Sequence, residues 1–172
     1  MVLATGYHAV VVGAGIVGAA CAEALSAAGV RVLVVDRGGV AGGTTAAGEG
    51  NVLVSDKEPG PELVLAQASR RRWPALLAEL RAELGVDVAE VEWEPKGGLV
   101  VATTDPAPLE AFAEVQRSAG VDARVITPAE AFELEPLLTR AVTTAAYYPD
   151  DAQLQPVLAA TALLAAVRAR GG

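Results

Sequence analysis

The sequence predicts an α/β fold, α+β over its whole length, on three observations. A β-branched run without alternation leads into a glycine-rich turn and then into a helix-forming stretch, the order typical of a parallel β-α-β unit. The second half carries short strand patterns separated by turn residues, which favours an antiparallel sheet. The chain has 172 residues, of which 52% are hydrophobic, so it can bury a substantial core.

Charge and composition exclude two classes of protein. The chain has 13 Lys and Arg against 21 Asp and Glu, a formal net charge of −8, and its basic residues are scattered. A nucleic-acid partner needs a basic face, so we exclude that class. One cysteine, Cys21, and one histidine, His8, form no cluster of metal ligands. We expect Cys21 to pack inertly in its apolar stretch and His8 to lie at the surface or at a strand end.

The apolar stretch at 9–30 is interpreted as a buried strand and a packed helix. It lacks a positively charged leading region, it contains Glu23 and Ser26, and its glycines fall at fixed spacings. These features argue against a signal peptide or a membrane span. The sequence therefore predicts a cytoplasmic protein.

A compact β-α-β unit opens the chain. Its parts are a strand at 8–12, the turn GAGIVG at 13–18, a helix at 19–28 and a second strand at 30–35. Gly29 is the expected C-terminal stop of the helix. Asp36 follows the second strand directly. This context of strand, turn, helix and acidic residue is what gives the GxGxxG pattern its specificity.

Each glycine of the turn has a physical role in a Rossmann-like dinucleotide site. Gly13 permits the tight turn out of the strand, Gly15 lets a pyrophosphate approach the backbone, and Gly18 lets the helix pack closely on the strand. The amides around Ile16 and Val17 can donate to the phosphate, aided by the helix dipole. The alternative is a structural turn that binds no ligand.

Two features after the second strand, Asp36 and the loop that follows it, indicate which dinucleotide is bound. Asp36 can accept the ribose hydroxyls and would repel a 2′-phosphate. The loop at 38–51 contains six glycines, and loops of this length are usually functional. Its candidate contacts are hydroxyl and amide donors to a second phosphate at Thr44 and Thr45, and close backbone approach to a flat ring system at Gly48, Gly50 and Asn51. Such an extended contact favours FAD over NAD. The alternatives are a mobile surface loop and an NAD-dependent dehydrogenase.

The remaining patterns predict a second region with mixed elements. We expect a helix at 61–84 with a break or kink near Trp73, because Pro74 lacks a backbone donor. We also expect an antiparallel hairpin in which 91–94 and 99–103 flank the turn-rich PKGG. The further predicted elements are a helix at 106–119 ended by Gly120, a strand at 123–126, a capping-box helix from Thr127 to Glu135, a strand at 141–148 and a last helix opening at Gln155 and Pro156.

Two charged clusters in these patterns are not expected to be functional sites. Arg70, Arg71 and Arg72 point in different directions on a helix, so we interpret them as a solvated face. Asp150 and Asp151 are interpreted as a loop before a helix start rather than as a catalytic carboxylate pair. No residue of the chain stands out as a general base.

Several motifs, in order along the chain, resemble the N-terminal half of the FAD-dependent D-amino acid oxidase superfamily, which includes glycine and sarcosine oxidases, D-amino acid dehydrogenases and hydroxyproline or opine dehydrogenase subunits. The motifs are GAGIVG, VVDR at 34–37, GGTTAAGEGN at 42–51, KGGLVVA at 96–102, AFELEPLL at 131–138 and YYPDDAQLQP at 147–156. The loop GEGNVLVSDK most resembles members that act on proline-like or opine-like amino acids.

The resemblance implies a Rossmann-like FAD-binding unit plus part of an antiparallel substrate-domain sheet, with non-covalent FAD, since the loop has no His or Cys for attachment. The pyrophosphate would lie on Gly13, Gly15 and Gly18, the ribose on Asp36 and the adenine end near Arg37. Contacts to the phosphate and flavin side would come from Thr44, Thr45, Gly48, Gly50 and Asn51. The implied domains are 1–84 for FAD, 85–150 for a partial substrate domain and 151–172 for a helix returning to the FAD domain.

The implied reaction is oxidation of the C–N bond of a proline-like, glycine- or sarcosine-like, or D-amino acid by hydride transfer to flavin N5. Members of the superfamily are longer, and their second half supplies the arginine that holds the substrate carboxylate. We therefore expect an N-terminal part that is inactive alone. The electron acceptor would be oxygen or a carrier. The alternatives left open are an NAD-dependent dehydrogenase and a non-catalytic nucleotide-binding subunit that pairs with a second, completing polypeptide.

Overall fold

The computed structural model describes residues 6–172 and divides them into two compact units. The first unit contains the described residues up to Gly50, together with Trp73–Trp93 and Leu154–Gly172. The second contains Asn51–Arg72 and Glu94–Gln153. The elements along the chain are β1 (Ala9–Val12), α1 (Ile16–Ala27), β2 (Val32–Val35), a 3-10 turn (Thr44–Ala47), β3 (Asn51–Val52), α2 (Pro61–Leu84), β4 (Gly98–Ala102), α3 (Ala107–Ser118), β5 (Arg124–Ile126), α4 (Pro128–Leu134), β6 (Thr144–Tyr148), β7 (Ala152–Gln153) and α5 (Pro156–Ala169).

The first unit is built on the predicted β-α-β arrangement. Strands β1 and β2 pair in parallel, with Ala9 opposite Val32. Helix α1 packs against α5, and both helices bury alanines at their contact faces, which allows close packing. Gly29 follows α1 with a φ of +80°, the left-handed conformation expected of a residue that ends a helix.

The second unit is an antiparallel sheet with a helical cover. Its strand order is β4-β6-β5, and β3 pairs separately with β7. The core joins Val54, Leu63 from α2, Ala113 from α3, and Ala146 and Tyr148 from β6. Ala146 and Tyr148 of the central strand thus bury their side chains in this core, and the neighbouring Ala145 is buried as well.

Most predicted elements are present, with boundaries that move by a few residues. The capping box is confirmed, since the Thr127 hydroxyl accepts from the Glu130 amide while the Glu130 carboxylate accepts from the Thr127 amide. Gly120 follows α3 with a φ of +82°. At the start of α5 the Gln155 side chain accepts from the Leu158 amide at 2.8 Å.

Of the break or kink expected near Trp73, the break is absent, since α2 continues from Pro61 to Leu84 with Pro74 inside it. Proline removes one backbone hydrogen bond, but a helix can continue through it where enough side chains on its buried stripe remain packed. Leu63 before the proline and Leu77 and Leu80 after it are almost fully buried.

The predicted hairpin across PKGG is wrong. Residues 91–94 form no strand, and β4 pairs with β6 instead. Glu94 exchanges both backbone hydrogen bonds with Gln153, at 2.8 and 3.0 Å, and the Gly97 amide donates to the Asp151 carbonyl at 3.0 Å. These long-range partners satisfy the backbone groups that a local hairpin would have used.

The expectation for Cys21 is corrected, and that for His8 is confirmed. Cys21 is exposed, because α1 buries Ala19, Ala22 and Glu23 on a different side of the helix. His8 lies exposed just before β1. The surroundings of Cys21 in the sequence are apolar, but its position on the helix turns it outward.

The predicted domain ranges 1–84, 85–150 and 151–172 stay predictions. Residues 1–5 lie outside the described residues. The compact units cut the chain at other points, because residues 51–72 belong with the second unit and 73–93 with the first.

A partly buried ion-paired cluster lies at the end of α5 in the first unit. Arg170, just after α5, pairs with Glu23 at 2.9 Å and with Glu83, and its guanidinium also reaches the Ser26 hydroxyl at 3.1 Å. Glu23 is only 5% exposed. The hydrogen bonds that Arg170 donates to Glu83 and Glu23 hold the pKa of Arg170 above its ordinary value. The cluster therefore links α5 to α1 and α2 by charge as well as by packing.

We predict that Arg170→Ala lowers the free energy of unfolding by about 2–4 kcal/mol, since it leaves the Glu23 carboxylate buried without its partner. Arg168→Ala is the matched control, because Arg168 is exposed on the same helix and its loss should cost under about 0.5 kcal/mol. Urea unfolding of both variants measures the difference. Equal destabilisation would contradict the assigned role.

Candidate cofactor site

The turn between β1 and α1 has the tight geometry that the GxGxxG pattern predicts. Gly13 has a φ of +115°, and its amide donates to the Val35 carbonyl at 2.8 Å. A Cβ at Gly18 would lie 2.0 Å from the Gly13 carbonyl oxygen, so only glycine permits this approach of helix to strand. Gly15 is the N-cap residue of α1 and has no side chain to cap the helix.

The loop at 38–51 returns to this turn instead of standing free. The Ala41 amide donates to the Ala14 carbonyl at 2.9 Å, and Ala41 is 1% exposed. The Thr45 hydroxyl accepts from the Ile16 amide at 3.0 Å. The alternative of a mobile surface loop is therefore disfavoured, and Thr45 lies at the N-terminus of α1, where the sequence predicts a phosphate.

Asp36 lies at the end of β2 and is held by two backbone donors. Its carboxylate accepts from the Ala14 amide at 2.8 Å and from the Gly38 amide at 2.7 Å. These hydrogen bonds, with Arg37 nearby, lower the pKa of Asp36 below its ordinary value. The side chain is exposed and anionic at neutral pH, so oxygen lone pairs remain for the hydroxyls of a ribose.

A recess of about 420 Å³ lies over these residues. Its lining includes Gly13, Asp36, Arg37, Gly38, Gly42 and Gly43. A Cβ at Gly13 or Gly43 would meet nothing within 4 Å, so the backbone faces open space there. The first turn of α1 carries no acidic side chain that would oppose an anion. The recess is therefore open, lined by glycines and bordered by the Asp36 carboxylate, features that a dinucleotide site requires.

The other predicted contacts do not all lie in the same part of the structure. Val17, 75% exposed, lies in the first turn of α1, and Gly48 ends the 3-10 turn. Gly50 has a φ of +81°, and a Cβ there would lie 1.8 Å from the Leu154 carbonyl oxygen, so chain packing alone accounts for this glycine. Asn51 belongs to the second unit, where it opens β3 opposite Gln153.

Sequence reasoning missed two contributions to the site. The Ala14 amide, which binds Asp36, is a backbone group in a position that the GxGxxG pattern leaves unspecified. Gly42 and Gly43 line the recess, although only their membership in a glycine-rich loop pointed to them.

The two charged clusters are structural in the described residues. Arg71 and Arg72 are exposed as expected, whereas Arg70 is half-buried and donates to the Asp150 carbonyl. Asp151 is 1% exposed and binds backbone amides, so it does not form a carboxylate pair with Asp150. Within residues 6–172, no helix has the length and apolarity that a membrane crossing requires.

Comparison with known proteins decides the family. The model of the family described as FAD dependent oxidoreductase (DAO) matches residues 8–172. The chain belongs to this family. Of the two dinucleotides considered from the sequence, FAD is therefore supported and NAD is not.

Among similar proteins is the glycine oxidase of Geobacillus kaustophilus, 34% identical over 170 residues. Its crystal structure matches with a TM-score of 0.87 over 96% of this chain, and the Bacillus cereus glycine oxidase matches with 0.86 at 27% identity. The L-proline dehydrogenase of P. horikoshii gives 0.79 at 26% identity over 98% of this chain and 43% of that one. The chain spans 44% of the curated relative and 45% of each glycine oxidase structure.

We predict that Gly18→Ala lowers the free energy of unfolding by about 3 kcal/mol, because its Cβ would overlap the Gly13 carbonyl and force helix and strand apart. Gly39→Ala is the control, since a Cβ there meets nothing within 4 Å. Thermal unfolding monitored by circular dichroism measures both. A tolerated Gly18→Ala would show that the close approach does not exist.

We predict that Asp36 titrates below the ordinary aspartate pKa of about 3.9. Because the folded-state pKa is depressed, its stabilising contribution is complete above the unfolded value and is lost as the pH falls through the folded value. NMR titration of the carboxyl carbon gives the pKa, and unfolding of Asp36→Asn from pH 7 to pH 2 gives the linked stability. The difference between variant and wild type should shrink only at the acidic end, and a difference independent of pH would contradict this.

Proposed function

We propose that this chain provides the FAD-binding part of an oxidoreductase that oxidises the C–N bond of an amino acid. The observation that carries the proposal is the glycine-lined recess beside the β1–α1 turn, where the anionic Asp36 carboxylate lies against the turn and accepts from the Ala14 amide at 2.8 Å. Backbone amides suit a pyrophosphate, and a carboxylate suits ribose hydroxyls. FAD would be held without a covalent bond.

In this proposal the β1–α1 turn and the end of β2 bind different parts of FAD. Gly13, Gly15 and Gly18, with the amides of Ile16 and Val17, would bind the pyrophosphate. Asp36 would bind the adenosine ribose, and Arg37 would lie near the adenine. The further contacts proposed on the phosphate and flavin side are Thr44, Thr45, Gly48, Gly50 and Asn51. Thr45 already binds the Ile16 amide, so a bound phosphate would share or replace that hydrogen bond.

The proposed substrate is a small amino acid. FAD, when bound, would supply the hydride acceptor for oxidation of the substrate C–N bond to an imine, which water would hydrolyse. Support comes from relatives named glycine oxidase and L-proline dehydrogenase, both of which act on small amino acids as named. The choice among glycine-like, proline-like and D-amino acids, the acceptor (oxygen or a carrier) and the cytoplasmic location stay predictions.

We further propose that residues 1–172 alone bind FAD weakly and catalyse no turnover, since the chain spans 44% of its curated relative. The second candidate is a non-catalytic nucleotide-binding subunit that needs another polypeptide. It is favoured by the same partial coverage.

The proposal is tested by flavin binding. The purified chain is titrated with FAD, and the change in visible absorbance gives the dissociation constant. We expect the wild type to bind FAD weakly and saturably, and Asp36→Asn to raise the FAD dissociation constant at least about tenfold, because a charged acceptor of the ribose hydroxyls is lost. Asp87→Asn, an equal change of charge at an exposed position of the first unit, should bind as the wild type does.

Four results would count against the proposal. A folded chain that shows no saturable binding of FAD would contradict FAD binding, and binding of NAD in place of FAD would restore the nicotinamide alternative. Equal loss of affinity in Asp36→Asn and Asp87→Asn would show that the recess over Asp36 is not the site. Amine oxidation by this chain alone would contradict the proposed inactivity.

A further inference from the structure

Ala41, in the loop after β2, has a backbone conformation that alanine rarely adopts. Its φ is +57°, in the left-handed region that favours glycine. None of the glycines nearest to it in the loop has a positive φ; these are Gly38, Gly39, Gly42 and Gly43. The loop therefore carries alanine at the position where glycine would be least strained. Backbone strain of this kind is typical of ligand-binding sites.

The side chain of Ala41 is buried although the segment around it is open. Ala41 is 1% exposed, and within residues 38–43 it alone is buried. A Cβ at Gly39 or Gly43, by contrast, would meet nothing within 4 Å. The methyl group of Ala41 therefore anchors this segment to the interior of the first unit. Glycine at the same position would be less strained, but it would provide no such anchor.

The backbone of Ala41 joins the loop to two other segments of the first unit. Its amide donates to the Ala14 carbonyl at 2.9 Å, and its carbonyl accepts from the Ala46 amide at 3.0 Å. Ala14 belongs to the β1–α1 turn, and its own amide donates to the Asp36 carboxylate. Ala46 belongs to the 3-10 turn, whose Thr45 hydroxyl binds the N-terminus of α1. Ala41 is thus hydrogen-bonded to both segments that meet at the start of α1.

The recess of about 420 Å³ is bounded by the segments that Ala41 joins. Its lining includes the two glycines before Val40 and the two that follow Ala41, together with residues of the β1–α1 turn and the end of β2. Glycine segments have many accessible conformations, so the place of these glycines depends on the residues that hold them. Ala41 does not line the recess itself. Its methyl group and its two backbone hydrogen bonds determine where the neighbouring glycines lie.

We propose that Ala41 is a positioning residue that keeps this recess preformed before a ligand binds. It does not touch the ligand; it holds the glycines of the loop beside the β1–α1 turn, so that little conformational freedom is lost on binding. Preorganisation of this kind raises affinity without adding a contact. The inference rests on the proposed function, since the ligand of the recess is taken to be the adenosine diphosphate part of FAD.

The test compares four variants of the full chain. Ala41→Gly removes the buried methyl group but accepts the left-handed backbone without strain, so the fold is kept. Ala41→Val adds a β-branched side chain that this φ disfavours. Ala47→Gly makes the same change as the first variant at an exposed position of the 3-10 turn. Ala22→Gly is the control for simple destabilisation, because Ala22 is buried in α1 and does not line the recess.

The first measurement is hydrogen–deuterium exchange without ligand, read at the amides of positions 41 and 46, which the two hydrogen bonds protect. We expect both Ala41 variants to raise exchange there at least about tenfold, because the loop opens without its anchor. Ala47→Gly should stay near the wild type, and Ala22→Gly should raise exchange along α1 without selecting this loop. An increase in the Ala41 variants no larger than that of Ala47→Gly would overturn the inference.

The second measurement sets ligand affinity against stability. Titration with FAD and with adenosine diphosphate gives two dissociation constants, and circular dichroism gives the midpoint of thermal unfolding. We expect Ala41→Gly to raise both dissociation constants at least about fivefold while its midpoint stays near that of Ala47→Gly. Ala22→Gly should lower the midpoint and leave both constants unchanged at a temperature where it is folded. A residue with a merely structural role would not separate the two quantities in this way.

The possible failures of the inference and of the proposed function differ. Unchanged dissociation constants in both Ala41 variants would overturn the inference, and so would an equal loss of affinity in Ala47→Gly. Tighter binding by Ala41→Gly would also overturn it, since the strained alanine would then oppose the bound form of the recess. A wild type that binds neither FAD nor adenosine diphosphate would instead refute the proposed function, and with it the ligand named for the recess.

Discussion

The hydrogen bond from the Ala14 amide to the Asp36 carboxylate is the constraint on which the candidate site depends. It joins the turn after β1 to the end of β2, both of which line the recess. With the bond from the Gly38 amide, it lowers the pKa of Asp36 further below neutral pH. One interaction therefore fixes the position of the carboxylate that a dinucleotide would meet and favours its charged form.

The backbone conformation is fixed in a different way in each of the two units. In the first unit small residues allow main chain to meet main chain, as at Gly18 beside the Gly13 carbonyl and at Gly50 beside the Leu154 carbonyl. In the second unit buried polar side chains, Asp151 and Gln116, capture the main chain directly. The first method leaves the amides at the start of α1 near a surface that a ligand can reach, while the second uses up the polar groups of the turn that it holds.

What could be predicted from the sequence was local. The GAGIVG turn, the capping box at Thr127 and the bounds of α2 depend on residues within a few positions of one another, and the structure confirms them. The hairpin across PKGG failed because Glu94 pairs with Gln153, a partner 59 residues away that no short pattern encodes. The Ala14 amide was missed because backbone donors have no residue type.

The expectations for Cys21 and Asp151 differ from the structure because burial depends on which side of a helix or loop a residue lies. Cys21 was expected to pack because its neighbours are apolar, yet the buried face of α1 passes through Ala19, Ala22 and Glu23. Asp151 was expected to lie in a loop before a helix, but it lies in the turn before β7, and its burial depends on donors at Val54 and Ser55, almost a hundred residues earlier. A carboxylate is excluded from an apolar interior unless such donors converge on it, and that convergence is a property of the tertiary fold.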